Sequence, residues 1–164
     1  MVIANALKPA LFLEEYPKSV VDVHIIVIQA DGGTRCAAIN AASLALADAG
    51  IPMKSLVPAV AVGKADGKLL VDLGDEEDKY GEGDVPMAIM PQTGEITLLQ
   101  QDGFFTREEL VEAMQMGINS CNYLHELQKD ALKRVYVRNP EDGEDDFDDD
   151  LEADLGESEI MEDK

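Results

Sequence analysis

The sequence predicts an α+β fold in which a mainly antiparallel sheet is covered by helices. Two changes of pattern carry this prediction. Apolar residues at helical spacing give way in the middle of the chain to short runs of strand type, and a long helical pattern returns after residue 106. The 164 residues are enough for one domain or slightly more, and a hydrophobic fraction of 46% is enough for a buried core.

Helical and extended patterns alternate in the first part of the chain. Apolar residues at helical spacing predict a partial helix over residues 2–15, which no capping residue precedes and which Pro17 ends. The chain is therefore expected to begin inside an element. A β-branched run over residues 20–29 is typical of a buried strand. The alanine-rich stretch 34–49, which a Gly and a Pro follow closely, predicts a complete helix.

Four strands and a long helix are predicted next. The strands are expected over residues 57–63, 68–73, 85–90 and 95–100. Ala65-Asp66-Gly67 is a hairpin signal between the first two strands, and residues 74–83 are expected to form an acidic loop between the two pairs. Thr106 and Glu109 form a capping box that opens the last helix. The predicted order is a partial helix, then β-α-β-β-β-β-α, then a tail.

Charge is distributed unevenly along the chain. Of the net charge of −21, residues 141–164 carry fourteen acids and one base (−13), which leaves twenty acids and twelve bases (−8) for the rest. Such a tail cannot bury enough apolar surface to offset the entropy of ordering, so it is predicted to be disordered. No basic stripe of the kind that binds nucleic acid by charge alone is present.

Several classes of protein are excluded by what the sequence lacks. No apolar run approaches the ~20 residues of a membrane span, and the N-terminus lacks the features of a signal peptide. Cys36 and Cys121 are too few for a disulfide framework and have no metal-ligand spacing, so reduced core thiols are expected. His24 and His125 are expected to be packing or surface residues. A cytoplasmic protein without a membrane partner is predicted.

The first candidate site is the turn between the run at 20–29 and the following helix. Its two glycines allow backbone N–H groups to converge at a helix N-terminus, where Thr34 adds a hydroxyl and Arg35 a forked cation. These features together outline a phosphate site. The alternative is a tight turn with a Thr cap and an Arg that faces solvent. The spacing matches neither a Walker loop nor a dinucleotide fingerprint.

The second candidate site is the acidic loop. Asp84 immediately precedes a predicted strand, and Asp78 lies six residues earlier across a Gly-containing loop that could bring the two carboxylates together. Such a pair could hold a divalent cation together with substrate phosphates, or one carboxyl could act as a general acid. The alternative is a solvated acidic loop. A phosphate cradle and a carboxylate pair together are the equipment of phosphoryl transfer.

Several motifs in this order resemble the RNase PH family. They are QADGGTR at 29–35, AASLALADAGIPM at 41–53, AVGKADG at 61–67, Glu77-Asp78 followed by GEGD at 81–84, and ITLLQ at 96–100. Within the family the similarity is greatest to the catalytic exosome-type subunits of archaea. The resemblance extends from about residue 3 to about residue 132 and implies an RNase PH-like fold. It divides the chain into the C-terminal part of a first RNase PH-type domain (1–52), a second such domain (53–138) and the acidic tail (139–164).

The resemblance also implies an activity and a set of site residues. The activity is phosphorolytic 3′→5′ degradation of RNA, in which inorganic phosphate is the co-substrate and Mg²⁺ is expected. Gly33, Thr34 and Arg35 fall on the phosphate-binding motif, and Asp78 and Asp84 fall on the two catalytic or metal-associated aspartates. Asp84 could protonate the leaving 3′ oxygen or help to hold Mg²⁺.

The resemblance further implies partners and leaves one alternative open. The expected partners are the 3′ end of single-stranded RNA, a related non-catalytic subunit in a hexameric ring, and RNA-binding cap subunits. A full family member has further N-terminal strands and an arginine-rich segment, so this chain alone is expected to show weak or no activity. The alternative is a catalytically inactive assembly or scaffold fragment of such a ring.

Overall fold

An antiparallel sheet forms the centre of the protein, whose computed structural model describes residues 2–136. The strands are β1 (Ala59–Ala65), β2 (Lys68–Val71), β3 (Gly83–Met90), β4 (Glu95–Leu99) and β5 (Asp102–Gly103). The first four lie in the order β2-β1-β3-β4, and the short β5 pairs with the beginning of β3. The four predicted strands after residue 56 are thus confirmed to within two residues at each end.

Four α-helices in the described part of the chain pack around this sheet. They are α1 (Val2–Leu7), α2 (Thr34–Asp48), α3 (Asp75–Tyr80) and α4 (Arg107–Tyr136). Side chains of neighbouring residues in a strand point to opposite faces of the sheet, so the core of the described residues consists of two clusters, one on each face. Ala59 and Ala61 of β1 pack in one cluster with α1 and α2, whereas Val60 packs in a second cluster with Cys121 of α4. The predicted α+β fold with helices covering the sheet is confirmed.

Local signals in the sequence correspond to observed geometry at two positions. Asp66 and Gly67 both have positive φ, 50° and 69°, as the tight turn of a right-twisted hairpin requires. At the start of α4 the Glu109 carboxylate accepts a hydrogen bond from the Thr106 N–H (2.8 Å), and the Thr106 hydroxyl accepts one from the Glu109 N–H (3.2 Å). The predicted capping box is therefore present.

The predicted strand over residues 20–29 is wrong. This run forms no ladder, because no strand among the described residues lies beside it to supply hydrogen-bond partners. Its apolar side chains are consequently exposed: 85% of Ile26 and 97% of Ile28 are accessible to solvent. The β-branched composition indicated a strand, but a strand also needs a neighbour.

The ends of two other elements differ from prediction. The partial helix expected over 2–15 ends at Leu7 and continues as two short 3₁₀ turns, Lys8–Ala10 and Leu13–Glu15, because Pro9 has no N–H for an α-helical bond. The loop expected over 74–83 contains α3 instead, which begins where carboxylate oxygens accept its first N–H groups.

Both cysteines lie in the core, as the sequence predicted. Cys36 and Cys121 are buried and unpaired, and burial raises the pKa of the first to about 11 and of the second to about 12, so both are protonated at neutral pH. The predicted acidic tail lies outside the described residues. In that described part of the chain, no helix combines the length and the apolar character needed to cross a membrane.

Candidate functional site

The glycine-rich turn ahead of α2 approaches another part of the backbone closely. Gly32 has a φ of +70°, and a Cβ atom built on it would lie 2.4 Å from the Leu73 carbonyl oxygen. No other residue fits this contact. Gly33 follows with a φ of +55° and its carbonyl accepts hydrogen bonds from the N–H groups of Cys36 and Ala37, which starts the helix at Thr34. The turn is therefore shaped by both of its glycines.

The Arg35 guanidinium is held by a residue far away in the chain. Its Nη1 donates a hydrogen bond of 2.6 Å to Oε1 of Gln100, which follows β4. A guanidinium has five N–H donors in a rigid fork, so this contact leaves donors for an anion. The sequence placed Arg35 in the phosphate-binding motif but gave no sign of its partner, because the two residues are 65 positions apart.

The helix α3 starts immediately beside the turn. The Asp31 carboxylate accepts a hydrogen bond of 3.0 Å from the Asp75 N–H, and the Glu77 carboxylate accepts one of 2.7 Å from the Gly74 N–H. Two of the first N–H groups of the helix are thereby satisfied. Asp78, predicted as a site residue, lies in this helix one turn after its start.

Asp84 lies on a rigid strand in the middle of three strands. In the sheet it stands opposite Gly63 of β1 on one side and opposite Asp102 of β5 on the other. Burial raises the pKa of Asp84, the carboxylates of Asp78 and Asp102 raise it further, and the Arg35 guanidinium lowers it. Because such interactions act over short distances, these four charged groups share one region of the molecule.

The structure thus places three of the predicted site residues, Arg35, Asp78 and Asp84, in one region, with Gly33 and Thr34 at the start of the helix that carries Arg35. Asp78 and Arg35 act on the same carboxyl, that of Asp84, although they belong to different helices. Asp102 was missed. Its Asp-Gly pair after the fourth predicted strand resembles an ordinary turn, and only the pairing of β5 with β3 places it beside Asp84.

An ion pair network supports the sheet at this end. The Lys64 ammonium lies 3.1 Å from a Glu82 oxygen and 2.8 Å from a Glu109 oxygen, and its side chain is only 14% exposed. The other Glu82 oxygen accepts a hydrogen bond from the Gly67 N–H at 2.7 Å. These contacts tie the β1–β2 hairpin to the first turn of α4, so the strand that carries Asp84 has a fixed neighbour.

The chemistry of the carboxylates suits a metal ion that also binds water and substrate, and does not suit a metal ion held by protein ligands alone. Among residues 2–136, no group of three or more His, Cys, Asp or Glu side chains is arranged to hold a metal ion. A cage made entirely of protein ligands is therefore not present in that range. Mg²⁺, however, usually keeps several waters and binds one or two carboxylates together with substrate phosphates, and Asp78 and Asp84 carry carboxylates of that chemical type.

Comparison with known proteins gives consistent matches over most of the chain. Residues 1–52 match the first domain of the 3′ exoribonuclease family, and residues 55–120 match its second domain. The exosome complex component Rrp41 of Thermococcus gammatolerans is 56% identical over 137 residues, which is 84% of this chain and 55% of that protein. The protein of the same name from Nitrosopumilus maritimus is 51% identical over 141 residues, 86% of this chain and 58% of that protein.

A solved structure supports the same fold. Rice Rrp46 superimposes with a TM-score of 0.73 over 80% of this chain and 62% of that chain, at 22% sequence identity. This likeness concerns the fold alone. The chain spans a little over half the length of the Rrp41 proteins that it matches. With both family domains matched in order and about half of all aligned residues identical to archaeal relatives, the chain belongs to the 3′ exoribonuclease family of RNase PH type.

Proposed function

We propose that this chain is the site-bearing part of a phosphorolytic 3′→5′ exoribonuclease of the exosome type. One observation carries the proposal: Arg35 at the start of α2 and Asp78 in α3 both lie near enough to Asp84 to shift the pKa of its carboxyl, so a cation for phosphate and a proton-holding group share one region. The names and the family of the relatives support the same assignment. On this proposal, residues 1–52 and 53–138 belong to two successive family domains.

The residues divide the chemistry between them. Gly33, Thr34 and Arg35 bind inorganic phosphate through backbone N–H groups, a hydroxyl and the guanidinium. A phosphate oxygen bonds to the phosphorus of the terminal phosphodiester, the bond from that phosphorus to the 3′ oxygen of the shortened RNA breaks, and a nucleoside diphosphate leaves. Asp84 donates the proton that the 3′ oxygen needs, and the raised pKa of its carboxyl suits that role.

Asp78 has a supporting electrostatic role in this scheme. Its negative charge favours the protonated form of Asp84. Asp78 and Asp84 are also the residues that would hold Mg²⁺, which when bound neutralises charge on the phosphate oxygens. The two roles of Asp84 make opposite demands on its protonation, so the pH dependence of the reaction reports which one prevails.

The charge of the chain indicates that it needs basic partners to bind RNA. With a net charge of −21 the chain repels RNA, and we infer that basic surface for the RNA backbone comes from other subunits. The proposed assembly is a hexameric ring with a related non-catalytic subunit, with RNA-binding cap subunits and with the 3′ end of single-stranded RNA as substrate. The relatives are named as exosome complex components, which supports an assembly of this kind.

A second candidate function has its own supporting observation. Residues 20–29 carry exposed apolar side chains and pair with no described strand, as expected of a fragment that serves assembly. In that case the site residues persist, but the chain performs no chemistry.

The deciding experiment measures nucleoside diphosphate release from single-stranded RNA. The chain is assembled with the related ring subunit and incubated with RNA and Mg²⁺, with and without inorganic phosphate. We expect release only with phosphate, and a loss of roughly 10²–10⁴-fold in kcat for Asp84→Asn, the usual range for removing a general acid. Asp48→Asn, an exposed residue at the end of α2, is the matched control and retains full activity.

Two results would contradict the proposal. Release of nucleoside monophosphates independent of phosphate would replace phosphorolysis by hydrolysis. No release from a ring whose assembly is confirmed would favour the scaffold function instead.

A further inference from the structure

The Asp31 side chain connects two parts of the proposed site that are distant in sequence. Its Oδ1 accepts the Asp75 N–H at 3.0 Å across 44 positions of the chain. The N-cap residue of α3 is Gly74, which has no side chain to accept a hydrogen bond from the helix. Asp31 therefore takes the part of an N-cap side chain. An Asp or Ser at the N-cap position would accept a hydrogen bond from the first turn of its own helix, and here Asp31 accepts it from outside the helix.

A second contact brings the same two segments together. The missing side chain of Gly32 allows its backbone to lie against the carbonyl of Leu73, and Leu73 is itself buried against Gly63 of β1. The segment that leads into α3 is thus held between the turn and the sheet. The Asp31 hydrogen bond and the close packing of Gly32 thus hold the turn against the start of α3.

The position of Asp78 depends on how the start of α3 is held. The Asp78 N–H donates to the Gly74 carbonyl at 2.9 Å, which places this residue one turn after the anchored end. At the other end of the helix, the Glu82 N–H donates to the Lys64 carbonyl of β1 at 2.7 Å. A helix of six residues is too short to keep its place without such anchors.

We propose that Asp31 is a positioning residue, which through α3 sets the place of Asp78 beside the phosphate-binding turn and Asp84. This inference rests on the proposed function, because it assigns Asp31 a part in the same site. Asp31 does not touch the reacting atoms. Its carboxylate acts by holding the helix that carries one of the two aspartates.

The test uses the influence of Asp78 on Asp84 as its readout. The pKa of the Asp84 carboxyl is measured in the full chain by ¹³C NMR titration, with assignment through Asp84→Asn. Asp31→Ala releases the start of α3, weakens the effect of Asp78 and lowers the Asp84 pKa. Asp31→Asn keeps an acceptor oxygen and retains most of the coupling. Asp22→Ala removes the same charge from an exposed position nine residues earlier and leaves the Asp84 pKa unchanged.

A double-variant cycle separates positioning from a direct effect of the Asp31 charge. If Asp31 acts through Asp78, Asp31→Ala has no effect on the Asp84 pKa in an Asp78→Asn background. An equal shift in both backgrounds, or no shift in either, overturns the inference. Circular dichroism of every variant verifies folding. If Asp31→Ala does not fold, hydrogen exchange of the Asp75 amide is measured in the folded wild type. Slow exchange supports the anchoring contact, and exchange as fast as that of an amide without a partner overturns the inference.

The outcomes also distinguish this inference from the proposed function. In the assembled ring we expect Asp31→Ala to lower kcat about tenfold, since a misplacement of ~1 Å in a site costs up to ~10²-fold. A lower Asp84 pKa in Asp31→Ala, lost in the Asp78→Asn background and without any diphosphate release, supports the positioning role and contradicts the enzyme. Diphosphate release with an unchanged Asp84 pKa in Asp31→Ala does the reverse.

Discussion

At the scale of single residues, the geometry of the candidate site depends on where a side chain is absent. Gly32 and Gly50 have nearly the same φ, +70° and +73°, but only Gly32 has backbone atoms in the place of a Cβ. Gly50 has nothing within 4 Å of that place. A comparison of the two glycines therefore distinguishes the cost of a left-handed φ, which both share, from the cost of a steric clash, which only Gly32 would have.

We predict that Gly32→Ala is much more destabilising than Gly50→Ala. Both substitutions place Ala at a left-handed φ, which costs about 1–2 kcal/mol. Gly32→Ala also forces a methyl group against the Leu73 carbonyl, and overpacking of this kind adds about 1–3 kcal/mol. Urea denaturation of both variants measures the difference in the free energy of unfolding. Equal losses would show that the turn and the segment before α3 can separate without cost.

At the scale of secondary structure elements, residues 19–30 stand apart from the rest of the fold. They combine a strand-like composition with a backbone that joins no strand ladder, and they lie beside an apolar groove of about 540 Å³. The groove lies between this segment and α1, and its lining includes Ile3, Leu7, Val20, Ile25 and Leu46. An exposed β-branched run of this kind is a template for pairing with another chain.

We predict that the isolated chain self-associates through this segment. Ile26→Lys and Ile28→Lys place charges on its two most exposed isoleucines and shift the chain toward monomer at a given concentration. Val111→Lys, at an exposed β-branched position of α4, is the matched control and leaves association unchanged. Light scattering coupled to size exclusion measures the mass. A wild-type chain that stays monomeric at high concentration, or an equal effect of Val111→Lys, would refute the prediction.

At the scale of the whole molecule, a partly buried polar junction joins the helices on the two faces of the sheet. The Asn40 side chain of α2 exchanges two hydrogen bonds with the Ala59 backbone of β1, at 2.8 and 2.9 Å, and accepts a third from Gln128 of α4. His125, one turn earlier in α4, is only 7% exposed, and its Nδ1 has no hydrogen-bond partner among the described residues.

The global stability is therefore expected to depend on the protonation of His125. Burial lowers the pKa of this imidazole below 6.5, the Lys129 ammonium lowers it further, and the Glu126 carboxylate opposes both. The unfolded chain thus binds a proton more readily than the folded one, so the free energy of unfolding falls as the pH drops below about 6.5. A further loss of stability is expected only below about pH 4.5, where carboxylates whose pKa is lowered in the folded chain become protonated. These carboxylates belong to Glu82, Glu109 and Glu126.

This prediction is tested by urea midpoints between pH 8 and pH 5.5. We expect the wild type to lose stability over this interval and His125→Gln to lose less. His24→Gln, which changes an exposed histidine, keeps the wild-type slope. A wild-type profile that is flat in this range would contradict the assignment of His125 as a buried neutral group.

Three of the predictions that needed only neighbouring residues were confirmed. The hairpin turn at Asp66 and Gly67, the capping box at Thr106, and the four strands after residue 56 each depend on contacts within one or two elements. The motif order was likewise sufficient for the family. In each case the physical signal, a left-handed turn or an N-terminal cap, is contained in a few consecutive side chains.

The features that sequence reasoning did not anticipate depend on partners far away in the chain. Asp31 caps a helix 44 positions later, Gln100 holds Arg35 across 65 positions, and β5 brings Asp102 to Asp84. The run at 20–29 illustrates the opposite case, because its composition is that of a strand and it finds no neighbour. Composition and local motifs specify which hydrogen bonds a segment can make, whereas the packing of distant segments specifies which of those bonds are made.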